Sequence, residues 1–270
     1  MVIFVLLPNL LVIATSFLSR DDVHFIRWQV TLRNYLRLLD PDYAAVFMHS
    51  FYMGLVTTVL CLVIGYPFSY LLSRMKPGLK PYLFFLVIVP FWTNSLVRTY
   101  AMKLLISTNG LVNQALLGLG WIDEPLRMLY TEGAVIAGLI YILLPFMILP
   151  LYAIFEQLRG DLLEASSDLG ANTRQTFLRV VLPLTMPGII AGCLLVFLPA
   201  VGMFYVADVL GGAKNLLIGN VIKNQFLDAR DWPFGAAVSL FLTLAMGLLL
   251  YAYYASVRLI RRSETHAALA

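Results

Sequence analysis

"EASSDLGANTRQTFLRVVLPLTMPG", residues Glu164–Gly188, is a polar, sharply turned segment holding two prolines between two strongly apolar stretches. Its local pattern predicts two short helices. Asp161 followed by Glu164 has the form of a capping box, with Asp161 as N-cap and Glu164 at the third helical position, so a first helix runs over Leu162–Leu169. Gly170 fits the left-handed position that ends a helix. Asn172 followed by Gln175 repeats the start signal. A second helix then runs through Thr176–Val181 until Pro183, where the prolines re-aim the chain. On the first helix Leu162, Ala165 and Leu169 share one side, and Glu164, Ser167 and Asp168 lie on the solvent side. Two caps around a glycine turn make a rigid knuckle, which is what a docking element needs. The plainer alternative is an amphipathic connector at the membrane interface.

Outward from the knuckle the chain is apolar. It is 60% hydrophobic and 13% charged over 270 residues, where a soluble domain carries roughly 25% charged residues. Mean hydropathy is +0.83. The fold class is therefore an all-α polytopic membrane protein with about six transmembrane helices, in a single membrane domain over 1–270. The expected spans are 2–17, 49–72, 82–100, 133–155, 189–207 and 235–257, with the knuckle in a connecting segment over 156–188. The first run lacks the basic start of a signal peptide and is read as a span. Pro67, Pro90, Pro145, Pro150 and Pro199 fall within spans, and prolines in that number point to bent helices around a polar cavity. "GIIAG", Gly188–Gly192, allows close helix approach.

Spans alternate sides, so the hairpin "SRMKPGLKP", the knuckle and the tail share one face, and the long loops 18–48, 101–132 and 208–234 share the other. Lys and Arg tie in number between the faces, with Arg159 counted on the first and Lys214 on the second. They are denser on the short hairpin and tail, which favours that face as cytoplasmic. The net charge of +4 does not imply nucleic acid, because the basic residues sit at the ends of apolar runs. Cys61 and Cys193 lie inside such runs and read as small buried hydrophobes. His24, His49 and His266 are scattered, so no metal site is expected. No G-x-x-x-x-G-K-[S/T] loop occurs: "GGAKN", Gly211–Asn215, has the wrong spacing. No catalytic Ser/His/Asp or Cys/His set is legible, so no enzyme activity and no cofactor are expected in this chain.

The run Glu164, Ala165, Gly170, Val180, Leu182 and Pro183 resembles the EAA signature of ABC importer permeases. Ser166 departs from it, since alanine is usual there, but serine is small and keeps the helix. "VPFWTNSLVRTY", "YILLPFMILPLY" and the long stretch from "LPLTMPGIIAG" to "DWPFGAA" are similar to the permeases of spermidine/putrescine importers, and the likeness covers nearly the whole chain. The resemblance implies a type I ABC importer permease in a bacterial inner membrane, with the knuckle as a cytoplasmic coupling helix built on Glu164, Ala165, Ser166, Gly170, Val180, Leu182 and Pro183. It implies four further things: a second homologous permease, a cytoplasmic ATPase dimer that binds ATP and Mg, a periplasmic polyamine-binding protein, and polyamine as cargo. An importer for another cation or small solute would carry the same knuckle. A passive channel or membrane scaffold would not need one.

A polyamine site should offer carboxylates to ammonium groups and aromatic faces to methylenes. Two stretches suit it. In the third span Trp92 and Asn94, with Thr93 and Ser95, are expected at middle-to-outer depth, just beyond Pro90. Arg98 is ill suited to greet a cation and is expected at the outer headgroups or paired with an acid. In the fifth span a continuous helix would carry Asp208 to ~28 Å from Ile189, the outer mouth, with Phe204 and Tyr205 one turn below. Glu132 is a weaker candidate. Asp21, Asp22, Asp40 and Asp42 beside Arg20, Arg27, Arg33 and Arg37 make the first outer loop a candidate contact for the binding protein.

Overall fold

The structure, a computed structural model, describes residues 2–21, 25–158, 160–212 and 215–267. Asp22, His24, Arg159 and Lys214 lie outside the described residues. The chain divides into two units, Met48–Leu217 and the paired segments Met1–Phe47 and Ile218–Ala270. Helix α3, Pro41–Arg74, contributes its first residues to the second of these and the rest to the first.

In the unit Met48–Leu217 the hub is α7, Glu132–Gln157. Its apolar window is 56% buried, against 28–33% for the other long spans, so α7 packs within its own chain while they keep exposed sides. Val135, Leu139, Leu143, Met147 and Leu151 are fully buried along it. Against it lies α10, Leu182–Gly202. The close approach read from "GIIAG" is present. A Cβ on Gly188 would come within 2.8 Å of the Ile154 side chain and 3.1 Å of the Pro150 carbonyl, and one on Gly192 within 2.6 Å of Met147. Tyr66 of α3 meets Thr185 of α10 through their hydroxyls at 2.9 Å, and Ser69 Oγ donates to the Ile148 carbonyl of α7 at 3.3 Å. Lys80 bonds Glu156 at 2.7 Å and ties the start of α4, Lys80–Ile88, to the end of α7.

Among the described residues four helices are long and apolar enough to cross a membrane, with a fifth span if one bent pair is counted as one. That pair corrects the expected third span. The chain does not run on from Tyr82 to Tyr100. It tightens into a 3₁₀ turn at Val89–Trp92, breaks, and restarts as α5, Ser95–Ile106, followed by α6, Leu111–Gly118, with a bend of 98°. Pro90 is at the break, but the polar residues after it complete it. Thr93 is extended and its Oγ1 donates to the Pro90 carbonyl, while the Asn94 side chain accepts from Leu96 N–H as the N-cap of α5.

The fifth span is corrected at both ends. α9, Thr173–Thr176, a π turn at Phe177–Val181 and α10 form one continuous helix over Thr173–Gly202, so Pro183 does not re-aim the chain. The wide turn, with Leu182 N–H bonded to the Phe177 carbonyl, gives room for a ring that would clash in a regular α-helix. At the far end the helix stops at Met203 rather than Ala207. The short α11, Phe204–Val206, and a second π turn, Ala207–Gly211, fold onto α7, where Tyr130 N–H donates to the Leu210 carbonyl at 2.8 Å.

In the other unit α1, Val2–Ser16, packs along α13, Trp232–Ala267. The segment 18–48 is not a plain loop. Strands β1, Leu18–Asp21, and β2, Phe25–Val30, pair antiparallel, and α2, Arg33–Arg37, follows. Buried Asn34 anchors it by donating to the Ser16 and Leu18 carbonyls at 3.0 and 2.8 Å. Arg37 lies over the Phe234 ring at 4.0 Å and bonds the buried carboxylate of Asp231 at 2.7 Å. Burial works against its charge, but the hydrogen bond and charge of Asp231 outweigh burial and raise the Arg37 pKa. A short helix α12, Ile218–Leu227, packs on α13.

Candidate functional site

The knuckle is built as its caps dictate. Helix α8 spans Gly160–Asp168. Gly170 has φ +80°, a conformation that costs a side chain. Its N–H donates to the Ser167 carbonyl at 2.9 Å, and Ala171 N–H to the Ser166 carbonyl at 3.1 Å. These two bonds are the Schellman pair, which satisfies carbonyls that a helix end leaves open. Asn172 and Gln175 then form a reciprocal capping box, each bond 2.9 Å. The first cap differs from expectation. Asp161 lies inside the first turn, where a carboxylate favours the positive helix end, rather than at the N-cap.

The side assignment of α8 is also corrected. The inward residues are Leu163 and Ser166, while Leu162, Ala165 and Leu169 are exposed together with Glu164, Ser167 and Asp168. Leu169 is 88% exposed and Leu162 43%. An apolar group shared by one helix face is thus turned away from its own chain. Ser166 is buried. Its Oγ donates to the Leu163 carbonyl at 2.8 Å and meets Thr176 Oγ1 at 2.9 Å, clasping α8 to α9. Val180 and Leu182 are half-buried and Pro183 is exposed. Behind the knuckle is a cavity of about 690 Å³, lined by Tyr66 and Tyr70 of α3 and by Leu163, Ser167, Thr176 and Phe177.

The second candidate set lies at the two helix breaks. Trp92 is 74% exposed and meets Phe85 edge-on at 5.6 Å. Asn94, read as a lining residue, spends its side-chain oxygen on capping α5. Tyr205 is half-buried with its ring 6.0 Å from that of Phe204, and Asp208 is exposed on the second π turn. Asp208 therefore sits after a break in the helix and not at the end of a continuous one. The two sets are linked by α5, which packs on α11 and on that π turn. Glu132 opens α7, 3.9 Å from His49 Nδ1.

Arg98, expected at the outer headgroups or paired with an acid, makes no ion pair with an acid among the described residues. It is buried, with its guanidinium carbon 5.9 Å from the centre of the Tyr141 ring. Tyr141 is about 13 Å along α7 from Glu132. The signal available was an arginine one turn past an Asn N-cap, which puts it on a new helix. Among the described residues no group of His, Cys, Asp and Glu could hold a metal ion.

The family described as "Binding-protein-dependent transport system inner membrane component" matches residues 64–265. The chain is 59% identical over 262 residues to the "Spermidine/putrescine transport system permease protein PotB" of Escherichia coli, covering 97% of this chain and 95% of that one. A bacterial ABC transporter involved in import of the acidic polysaccharide alginate superposes with TM-score 0.69 at 18% identity, over 95% of both chains. A bacterial alginate ABC transporter in complex with its alginate pentasaccharide-bound periplasmic protein superposes with TM-score 0.71 at 15% identity, over 85% of this chain and 84% of the other. At those identities the structures share the fold.

Proposed function

The chain belongs to the family of binding-protein-dependent transport system inner membrane components, and from that premise we propose that it is the permease subunit of an ATP-driven importer for spermidine or putrescine. The observation that carries the coupling half of this reading is the knuckle. Its turn is fixed by a positive-φ glycine and two capping arrangements, and it presents Leu162, Ala165 and Leu169 outward. A rigid element with an apolar face turned from its own chain suits docking into a cleft of a cytoplasmic ATPase. Burying the side chains of Leu162 and Leu169 there would contribute about 1.5–3 kcal/mol each at most.

The partners in this reading are a second related permease, an ATPase dimer and a periplasmic polyamine-binding protein. ATP and Mg are bound by the ATPase. Force passes from the knuckle through the Ser166–Thr176 clasp into the continuous helix Thr173–Gly202, and through its glycine face to α7. The cargo half rests on the 59% identity to the polyamine permease. Trp92, Asn94, Tyr205 and Asp208 are the pathway residues proposed on this chain. Asp208 supplies a carboxylate to an ammonium group, and Trp92 and Tyr205 supply rings to charge and methylenes.

The test is reconstitution of the chain with its three partners in lipid vesicles. ATP hydrolysis should rise on adding binding protein loaded with spermidine or putrescine. Hydrolysis indifferent to loaded binding protein would contradict the reading.

A further inference from the structure

Arg98 is an anomaly that the proposed route does not use. It is 8% exposed, and among the described residues its Nε and Nη1 are buried without a hydrogen-bond partner. Its one described contact beyond packing is the Tyr141 ring at 5.9 Å. A guanidinium keeps its charge where it is buried, and a lone buried charge is costly. A chain that only needed volume there could hold methionine or leucine. The charge also has a definite setting. It lies on the first turns of α5, the helix that packs on α7, on α11 and on the π turn bearing Asp208. The N-terminus of α5 adds positive potential of its own.

We propose that Arg98 is the cation barrier of the resting permease, a fixed positive charge that stops cations leaking down the membrane potential between strokes. The inference rests on the importer reading above, since only a protein with a cation route needs such a barrier. Electrostatic barriers of this kind exclude cations from other pores. Two like unit charges about 6 Å apart at an effective dielectric of about 20 repel enough to change cation occupancy roughly a hundredfold. The barrier is strong because, among the described residues, Arg98 makes no ion pair with a carboxylate. During a stroke the breaks on either side, at Thr93–Asn94 and at Met203, can move α5 away from the π turn and lower it.

The test uses the assembled importer in vesicles without ATP, under a potential that draws cations inward. Guanidinium and urea, a cation and a neutral molecule of the same shape, are the probes. Arg98→Gln should raise guanidinium influx at least about tenfold over wild type and leave urea influx unchanged, and Arg98→Lys should stay near wild type. Tyr141→Glu leaves Arg98 in place and neutralises it, and should leak guanidinium in the same way, so it decides the matter if Arg98→Gln fails to assemble. Wild-type guanidinium influx in an assembled neutralised variant overturns the proposal. So does a rise of guanidinium and urea together, which marks a packing defect. ATP-driven spermidine uptake by the wild-type vesicles, measured in parallel, judges the importer reading separately.

Discussion

Gly170→Val is the sharpest perturbation of the coupling knuckle. The residue has φ +80° and nothing within 4 Å of where a Cβ would stand, so a substitution there meets backbone strain and no clash. The left-handed conformation costs an ordinary L-residue roughly 1–2 kcal/mol, and a β-branched one more. That energy is set against two Schellman bonds, from Gly170 and Ala171 N–H groups, each of net value about 1 kcal/mol. The strain therefore matches what holds the turn: the equilibrium constant for forming the knuckle should fall at least about tenfold, since 1.4 kcal/mol is a factor of ten, and the formed fraction should drop from nearly all to about half or less. Membrane insertion should be unaffected, because the turn lies between spans. Uptake normalised to the amount of inserted protein should fall about twofold or more, with weaker retention of the ATPase on purification. Gly170→Asn is the control, since asparagine tolerates positive φ, and should keep most activity. Normal uptake and ATPase retention by Gly170→Val would refute the claim that this turn transmits force.

Four further outcomes follow from the same structure. Leu169→Lys should loosen ATPase association in pull-downs while leaving the thermal stability of the isolated chain unchanged, because Leu169 touches little of its own chain. Asp208→Asn should lower polyamine uptake several-fold per assembled complex, and unchanged normalised uptake would remove Asp208 from the pathway. Asp231→Ala breaks the 2.7 Å pair with Arg37 and the cap on Phe234 N–H; it should destabilise the chain by roughly 3 kcal/mol, read as a lower melting temperature in detergent. The purified chain without partners should show no saturable ATP binding in a filter assay, since it has no phosphate-cradling loop.

What the sequence made legible was short-range. The Asn172–Gln175 box and the Gly170 turn are determined by residues a few positions apart, and they stand where their spacing puts them. The apolar run of α7 likewise marks a span. What failed was direction. Periodicity says that Leu162, Ala165 and Leu169 share a face, but not whether that face turns toward this chain or away from it. A polar run such as Thr93–Asn94–Ser95 reads the same whether it lines a cavity or caps a new helix, so the 98° bend and the burial of Arg98 were hidden. Pro183 was read as a stop because a π turn leaves no local signature. The structure in segments 18–48 and 101–132 depends on buried asparagines whose partners are distant: Asn34 reaches back to Ser16 and Leu18, and Asn113 bonds Ser107, Thr108 and Leu126.

The central claim is that this chain carries polyamines through an inner membrane at the expense of ATP. Radiolabelled spermidine uptake, in cells lacking their own polyamine uptake and expressing this permease with its three partners, tests it most directly. Competition with excess unlabelled putrescine, spermidine, a neutral sugar and an unrelated amino acid should show inhibition by one or both polyamines, none by the other two, and loss of uptake when ATP is depleted. Uptake that is absent, that persists without ATP, or that the sugar or amino acid suppresses as well as the polyamines would contradict the account.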